Sequence, residues 1–461
     1  MPIAISMYQP TSGNGEPHMS SLIITDASIH GRAGRHDVVV EDGLVARIGL
    51  AGVARQTGGA ARADAAPVSV IDANGGLLAR AFVEPHLHPD KSFSLSELPA
   101  AEAAKLNHFA RATRIKATFT PEKVARRARR AFELAVSNGV TRLRANIDID
   151  SVAGLRGFEG VLQAREEVAG ILDVDLVAFP QEGLGRDPGA YELLREALRS
   201  GANLIGGWPN VEEGEEAQRA HVATVFDLAE EFDVDVDIHA DCWIEERERM
   251  LEVIADETMA RGLHGRVMAS HCCGIECYHD DARRVADKVA AADVRVAVIP
   301  LNLVDGILRG LSRPQMLRQA GAQVIVGSDN LNDGWYSLGT LNPLDRIYMA
   351  VVGGGFADDE VDAVWHMVAG GAAHALDNRS RADVSDEAAS DLHVGMVADL
   401  VLFGARDRLE ALRRPGGPIT TIKRGRVVAR RSVEERFMCT DTSGSPVGDG
   451  PVARSARGAS T

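Results

Sequence analysis

Between Phe82 and Asp329 the chain repeats one pattern: a short apolar, β-branched run that ends on a polar or bulky residue, followed by a longer stretch of helical composition. The runs end near His86, Asp148, Gln181, Trp208, His239, His271, Leu301 and Asp329, which makes eight. Alanine-, arginine- and glutamate-rich segments such as 121–137 and 213–231 lie between them. Eight strand-plus-helix units are what a (β/α)8 barrel of the TIM type requires. In such a barrel the C-terminal ends of the strands share one face, so residues far apart in sequence converge there.

What stands at those ends is chemically specific. In Phe82-Val83-Glu84-Pro85-His86-Leu87-His88, alternation along a strand sends His86 and His88 to the same side. Neutral imidazole is the commonest protein ligand for divalent metals of the zinc type. A lone HxH also arises by chance or on a polar strand edge. Here it is joined by Val234-Asp235-Val236-Asp237-Ile238-His239, Val267-Met268-Ala269-Ser270-His271 and Val324-Ile325-Val326-Gly327-Ser328-Asp329, each an apolar run ended by a ligand or a proton carrier.

The order HxH, His, His, Asp on successive strand ends resembles the amidohydrolase superfamily. Two further stretches, Val177-Ala178-Phe179-Pro180-Gln181-Glu182-Gly183 and Gly327-Ser328-Asp329-Asn330 with Asp333-Gly334-Trp335-Tyr336, are similar to its cytosine deaminase branch, which includes triazine-processing alkylamidohydrolases. The likeness runs from about Ile23 to about Ala429. It implies one divalent ion, zinc first with iron, manganese or cobalt as alternatives, held by His86, His88, His239 and Asp329. It also implies His271 as proton shuttle, with Asp329 sharing that work. Members with two metals carry a bridging lysine at the end of strand four; Leu204-Ile205-Gly206-Gly207-Trp208-Pro209-Asn210 has none, so a single ion is expected.

The residues around the reacting centre depart from the branch. Gln181, with one acceptor and two donors, is suited to an amide-like ring edge. Trp335 offers an aromatic wall or ordinary packing. Lys91 is either a substrate or loop contact or a solvated side chain, and Arg186 either lines the pocket or stays on the surface. Asn330 stands where a second aspartate is usual, Asn146 replaces a histidine, and Cys242 occupies the place of the glutamate that protonates a ring nitrogen. A thiol of pKa near 8.5 is a poor substitute for that acid.

Composition sets the remaining bounds. A net charge of −16 argues against a nucleic-acid surface. No apolar run approaches membrane-spanning length, and the N-terminus lacks the form of a secretory signal, so a cytoplasmic protein is expected. Five cysteines, three crowded at Cys272, Cys273 and Cys277, read as reduced, partly buried thiols. Residues 1–20 and 441–461 are polar and are expected to lack fixed structure. Segments 21–78 and 386–440 read as strands that, by the resemblance, form a small β-sandwich beside the barrel at 79–385.

The function expected is hydrolysis of a C–N bond in a small nitrogenous compound, by deamination or dealkylamination of an N-heterocycle with hydroxide generated at the metal. The alternatives are hydrolysis of an acyclic amide, urea, carbamate or thiocarbamate, as in molinate or phenylurea hydrolases, and a non-catalytic scaffold that keeps the fold. The partners expected are a small-molecule substrate and further copies of the same chain.

Overall fold

The computed structural model describes residues 5–7, 21–52, 68–247, 249–301, 311–377 and 392–435. The chain begins with strands β1 (Ile5–Met7), β2 (Leu22–Ala27), β3 (His36–Glu41), β4 (Leu44–Leu50), β5 (Ser69–Asp72) and β6 (Leu78–Arg80). Asp42 and Gly43, at φ +50° and +76°, make the tight turn between β3 and β4 that an Asp-Gly pair favours.

The barrel strands follow as β7 (Phe82–Leu87), β8 (Val140–Asp148), β9 (Asp173–Phe179), β10 (Leu204–Gly207), β11 (Asp235–Ala240), β12 (Val267–His271), β13 (Arg295–Val298) and β14 (Val324–Val326). All pair in parallel, each with its neighbour in sequence. They are buried on both faces, as a parallel sheet clad in helices must be. The helix Pro121–Ser137 shows how the cladding is written. Thr120 caps its first turn and proline sits at its first position, while Val124, Ala128, Phe132 and Ala135 recur on the buried side. The seventh strand ends at Val298, three residues short of the Leu301 expected from sequence, where the chain turns into a helical turn at Pro300.

The barrel closes at its C-terminal end through β7 and the residues after β14. The Asp329 N–H donates to the His86 carbonyl at 2.7 Å and the His88 N–H to the Asp329 carbonyl at 3.0 Å. Gly327 makes this approach feasible, since a Cβ there would lie 2.9 Å from that of His86. Barrel closure and the spacing of three candidate ligands are thus one feature.

The last strands, β15 (Leu400–Phe403), β16 (Ile419–Lys423) and β17 (Arg426–Arg431), join β6 and β1 in a five-stranded sheet ordered β1-β17-β16-β15-β6. A second sheet is ordered β4-β3-β2-β5. Leu22, Ile24, Val38 and Val40 of one sheet share an apolar core with Leu78, Leu400, Leu402 and Ile422 of the other. Strand β1 corrects the expectation of a wholly unstructured stretch 1–20: Ile5–Met7 pairs antiparallel with β17. An edge strand offers unpaired N–H and C=O groups that even three residues can satisfy. The rest of that stretch, residues 54–66 and residues 441–461 lie outside the described residues. Among the described residues, no helix is long and apolar enough to cross a membrane.

Candidate active site

Glu84 ties the first strand to the last. Its carboxylate accepts the backbone N–H of His86 and of Ser328, each at 3.0 Å, the Ser328 hydroxyl at 2.5 Å, and an ion pair from Arg346 at 2.9 Å. On this frame His86, His88, His239 and Asp329 are all buried, and each contributes one N or O atom to a group spanning no more than 4.8 Å. His88 Nε2 lies 3.2 Å from His239 Nε2, and Asp329 Oδ1 lies 3.4 Å from His88 Nε2 and 3.7 Å from His86 Nε2.

Electrostatics keeps these rings neutral. Burial, helped by the charges of Lys91 and Arg144, pulls the His86 pKa down to about 3. Burial also takes His88 and His239 well below the ordinary value, with the neighbouring imidazoles and Lys91 adding to it. His86 Nε2 has no hydrogen-bond partner, and two imidazole nitrogens face each other across 3.2 Å. One neutral ring can donate to the other across that gap, but this leaves His86 Nε2 unanswered; a cation shared among the three imidazoles and Asp329 answers all of them. Of the outer ring nitrogens, that of His86 has a hydrogen-bond partner and that of His88 only a carboxylate nearby. His86 Nδ1 faces the Asn146 amide at 3.3 Å and Asp237 at 4.0 Å, and His88 Nδ1 faces Asp148 at 3.8 Å. The residues present therefore fit a single divalent ion.

His271 ends β12 outside this set of four. Its ring centroid lies 4.8 Å from that of His239 and 5.4 Å from that of His86. His271 and Asp329 both hold positive φ, +72° and +71°. Such strain in non-glycine residues persists only where surrounding contacts enforce it, and it gathers at functional sites.

Beside the imidazoles lies a buried ionic network. Lys91 Nζ donates to Asp148 Oδ1 at 2.6 Å and to Gln181 Oε1 at 2.7 Å. Lys116 Nζ reaches Asp150 at 2.6 Å, Glu182 at 2.7 Å and Asp148 at 3.6 Å. This overturns the solvated alternative for Lys91. It also narrows the reading of Gln181: an ammonium has only donors, so the amide oxygen must face Lys91 and the NH₂ is the group left over. His88, Asp90 and Asp148 also converge within 4.8 Å, but the Lys91 ammonium already supplies the positive charge there. Burial, with the Asp148 charge, pushes Asp90 up to about 7.

Residues 102–429 match the amidohydrolase family. The chain belongs to that family. It is 27% identical over 390 residues to the N-isopropylammelide isopropyl amidohydrolase of Pseudomonas sp. strain ADP, covering 79% of this chain and 88% of that one. It is 27% identical over 418 residues to the pterin deaminase of Rhizobium rhizogenes strain K84, covering 88% and 90%. Among solved structures, the 5-methylcytosine deaminase of Klebsiella pneumoniae with 5-fluorocytosine superposes with a TM-score of 0.76 at 28% identity, covering 90% and 99%. This amidohydrolase is accordingly a hydrolase of carbon–nitrogen bonds whose family employs a divalent metal.

The remaining expected residues divide. Cys242 is buried with Phe179, Trp208 and Trp335 in an apolar group of its own. Glu245 and Glu246 are exposed, so neither replaces the carboxyl group that Cys242 lacks. Asn330 is buried and its Oδ1 has no partner. Arg186 is exposed and donates to the carbonyl of Val211, a member of the apolar group around Cys242, at 3.2 Å. Cys272 and Cys273 are buried thiols, and burial pushes Cys272 upward. Lys116, Asp148 and Trp208 carry structure at the site without having been singled out from sequence. For Asp148 and Trp208 a signal existed, since each ends a strand run; Lys116 gave none.

Proposed function

We propose that the chain is a mononuclear metal-dependent hydrolase that removes an amino or alkylamino group from an electrophilic carbon of a flat nitrogen heterocycle. The observation that carries this reading is the convergence of three neutral imidazoles and one carboxylate within 4.8 Å at the C-terminal end of the barrel. His86, His88, His239 and Asp329 would hold the ion, and three nitrogens with one oxygen suit zinc. When bound, such an ion brings the pKa of water toward neutrality.

The chain's own residues do the rest. Asp329 and His271 take the proton of the attacking water and return it to the departing nitrogen, a task suited to groups beside the reacting centre. Gln181, its oxygen held by Lys91, presents N–H donors and so reads an oxo group or an unprotonated ring nitrogen. Cys242 leaves no carboxylic acid on the pocket's apolar side, which suits substrates that do not depend on ring-nitrogen protonation. The relatives are named for an alkylaminotriazine, a pterin and a methylated cytosine, which favours a ring over an acyclic urea or thiocarbamate. Retention of the full ligand set disfavours the scaffold reading.

The test is elemental analysis together with release of ammonia or alkylamine from a panel of aminated heterocycles. About one equivalent of metal per chain and turnover of at least one panel member are expected. Two equivalents, both needed for activity, would overturn the mononuclear reading. A metal-loaded enzyme inert on every heterocycle but active on ureas would overturn the substrate class.

A further inference from the structure

Four barrel-end segments each contribute an aromatic side chain to one place. Phe109 comes from the helix His108–Lys116, Trp208 follows β10, Trp243 follows β11 and Trp335 follows β14. Phe109 lies nearly parallel to Trp208, at 8° and 5.6 Å between ring centroids, and meets Trp335 edge-on at 4.7 Å. Trp208 stacks on Trp243 at 5.6 Å and meets Trp335 at 5.7 Å. The three tryptophans belong to an apolar group separate from the main core, with Phe179 as the link to the imidazoles, 4.2 Å from His239 and 5.4 Å from His88. The small residues of the group, Ala112 and Cys242, carry no charge.

Trp208 is the member held most firmly. Its backbone N–H donates to His221 Nε2 at 2.9 Å, and His221 Nδ1 donates to Glu212 at 2.8 Å, a buried pair that fixes tautomer and orientation. Yet the Trp208 Nε1–H, fully buried, has no acceptor among the described residues. Leaving a buried donor unmatched costs about 1–3 kcal/mol. Trp365 also lacks an acceptor, but it lies between Phe82, Phe403 and Arg408, away from the reacting centre. The Trp208 ring is 6.1 Å from that of His239.

We infer that Trp208 is a specificity-determining residue: its Nε1–H donates to an oxo or ring-nitrogen acceptor of the substrate, and its ring, with Phe109 and Trp335, holds a fused-ring or N-alkyl portion. This rests on the heterocycle reading above and deepens it, since the wall rewards a substrate with more apolar area than a bare aminopyrimidine. In this structure the rings touch one another. A flat substrate is admitted when Phe109, which is 38% exposed, moves aside on its helix.

The experiment measures kcat and KM of the metal-loaded enzyme for pterin and for cytosine, with equilibrium dialysis for a probe that is not turned over. Trp208→Phe keeps a ring and deletes the donor. It should raise KM or Kd for pterin about five- to tenfold, the scale of one neutral hydrogen bond, with kcat and metal content little changed. Trp208→Leu should weaken pterin further and erase its preference over cytosine. Wild-type affinity for pterin in both variants overturns the assignment, as does an equal loss of kcat on both probes with a fall in melting temperature. If the wild type turns over no heterocycle, the proposed reaction fails, while dialysis of pterin against Trp208→Phe still decides the donor. Absence of pterin binding to the wild type overturns the assignment outright.

Discussion

Two buried polar groups lie side by side at the mouth of this barrel and differ in one respect. In the network of Lys91 and Lys116, each ammonium sits between carboxylate or amide oxygens, and positive and negative groups answer each other within the protein. In the group of His86, His88, His239 and Asp329, four metal-ligating atoms crowd within 4.8 Å and the buried His86 Nε2 has no partner. Burial of polar groups is tolerated when they are satisfied. In the first group the chain supplies a counter-charge for every ion, Asp148 Oδ2 making no hydrogen bond but lying 3.6 Å from the Lys116 ammonium, whereas the second needs something from outside it. That difference, rather than the mere presence of polar residues, separates a group that positions the site from one that binds.

The comparison breaks most visibly if the two groups respond alike to deletion. His88→Ala should lower kcat/KM by about 10⁴-fold or more, since it removes a ligand and with it the metal's share of the rate. Metal content should fall with it. In chelating buffer the variant should be as stable as the metal-free wild type, because an unsatisfied polar group has left the core. Metal content and rate equal to wild type would show that the ligand set is wrong.

His271→Asn sharpens the boundary of the binding group. It lies against the imidazoles but outside the set of four, so the variant should keep its metal and lose about 10²–10⁴-fold in kcat, the range for a general acid–base residue. Loss of the metal would move His271 into the coordinating set, and an unchanged rate would make it a packing residue.

Lys116→Met should do the reverse of His88→Ala. Asp148, Asp150 and Glu182 would lose their cation, and stranding buried carboxylates costs about 3–5 kcal/mol. Burial alone would pull the Lys116 ammonium's pKa down, but the charges of Asp148, Asp150 and Glu182 outweigh it and push it up. A lysine raised on folding stabilises fully below its unfolded pKa and loses that contribution only as pH rises through the folded value, so the full penalty should appear at pH 7. Urea unfolding measures it, and the fraction that folds should retain metal. A stability within experimental error of wild type would mean that the network is not closed in the way described.

Both groups were unequally legible in the sequence. His86, His88, His239, His271 and Asp329 each end an apolar run, and strand alternation with barrel closure carries such positions to one face. Lys116 was not legible, and Lys91 only as one of two alternatives, because a long charged side chain reads as solvated until its partners are known. Those partners, Asp148 and Gln181 for Lys91, Asp150 and Glu182 for Lys116, come from the ends of the second and third strands, which no local pattern connects to the first. The pairing of Ile5–Met7 with β17 was hidden likewise, a three-residue strand answering one from the other end of the chain. Of the aromatic wall, Trp335 was visible in a motif; Phe109 sits on a short polar-looking helix and declares itself only beside Trp208.

The smallest predicted effect comes from a surface counterpart of the buried networks. Glu252, on the helix Met250–Arg261, receives Arg284 through both carboxylate oxygens at 2.5 and 3.1 Å and Lys288 at 2.7 Å, joining that helix to the next, Ala282–Ala291. The Arg284 hydrogen bonds, against a smaller cost of burial, bring its pKa from 4.5 down to about 2. A carboxylate depressed on folding stabilises above its unfolded pKa, and that contribution disappears as pH falls through the folded value. Water and salt reach this pair, so Glu252→Gln should cost only about 0.5–1 kcal/mol at pH 7. The difference from wild type should hold down to about pH 5 and shrink between pH 4.5 and 2, read by urea unfolding across that window. In 1 M salt it should shrink at every pH, whereas the Lys116→Met penalty, shielded from solvent, should change little. A Glu252→Gln penalty that matched the Lys116→Met loss and resisted salt would show that burial is not what separates the two, and the contrast between inner and outer ion pairs would fall.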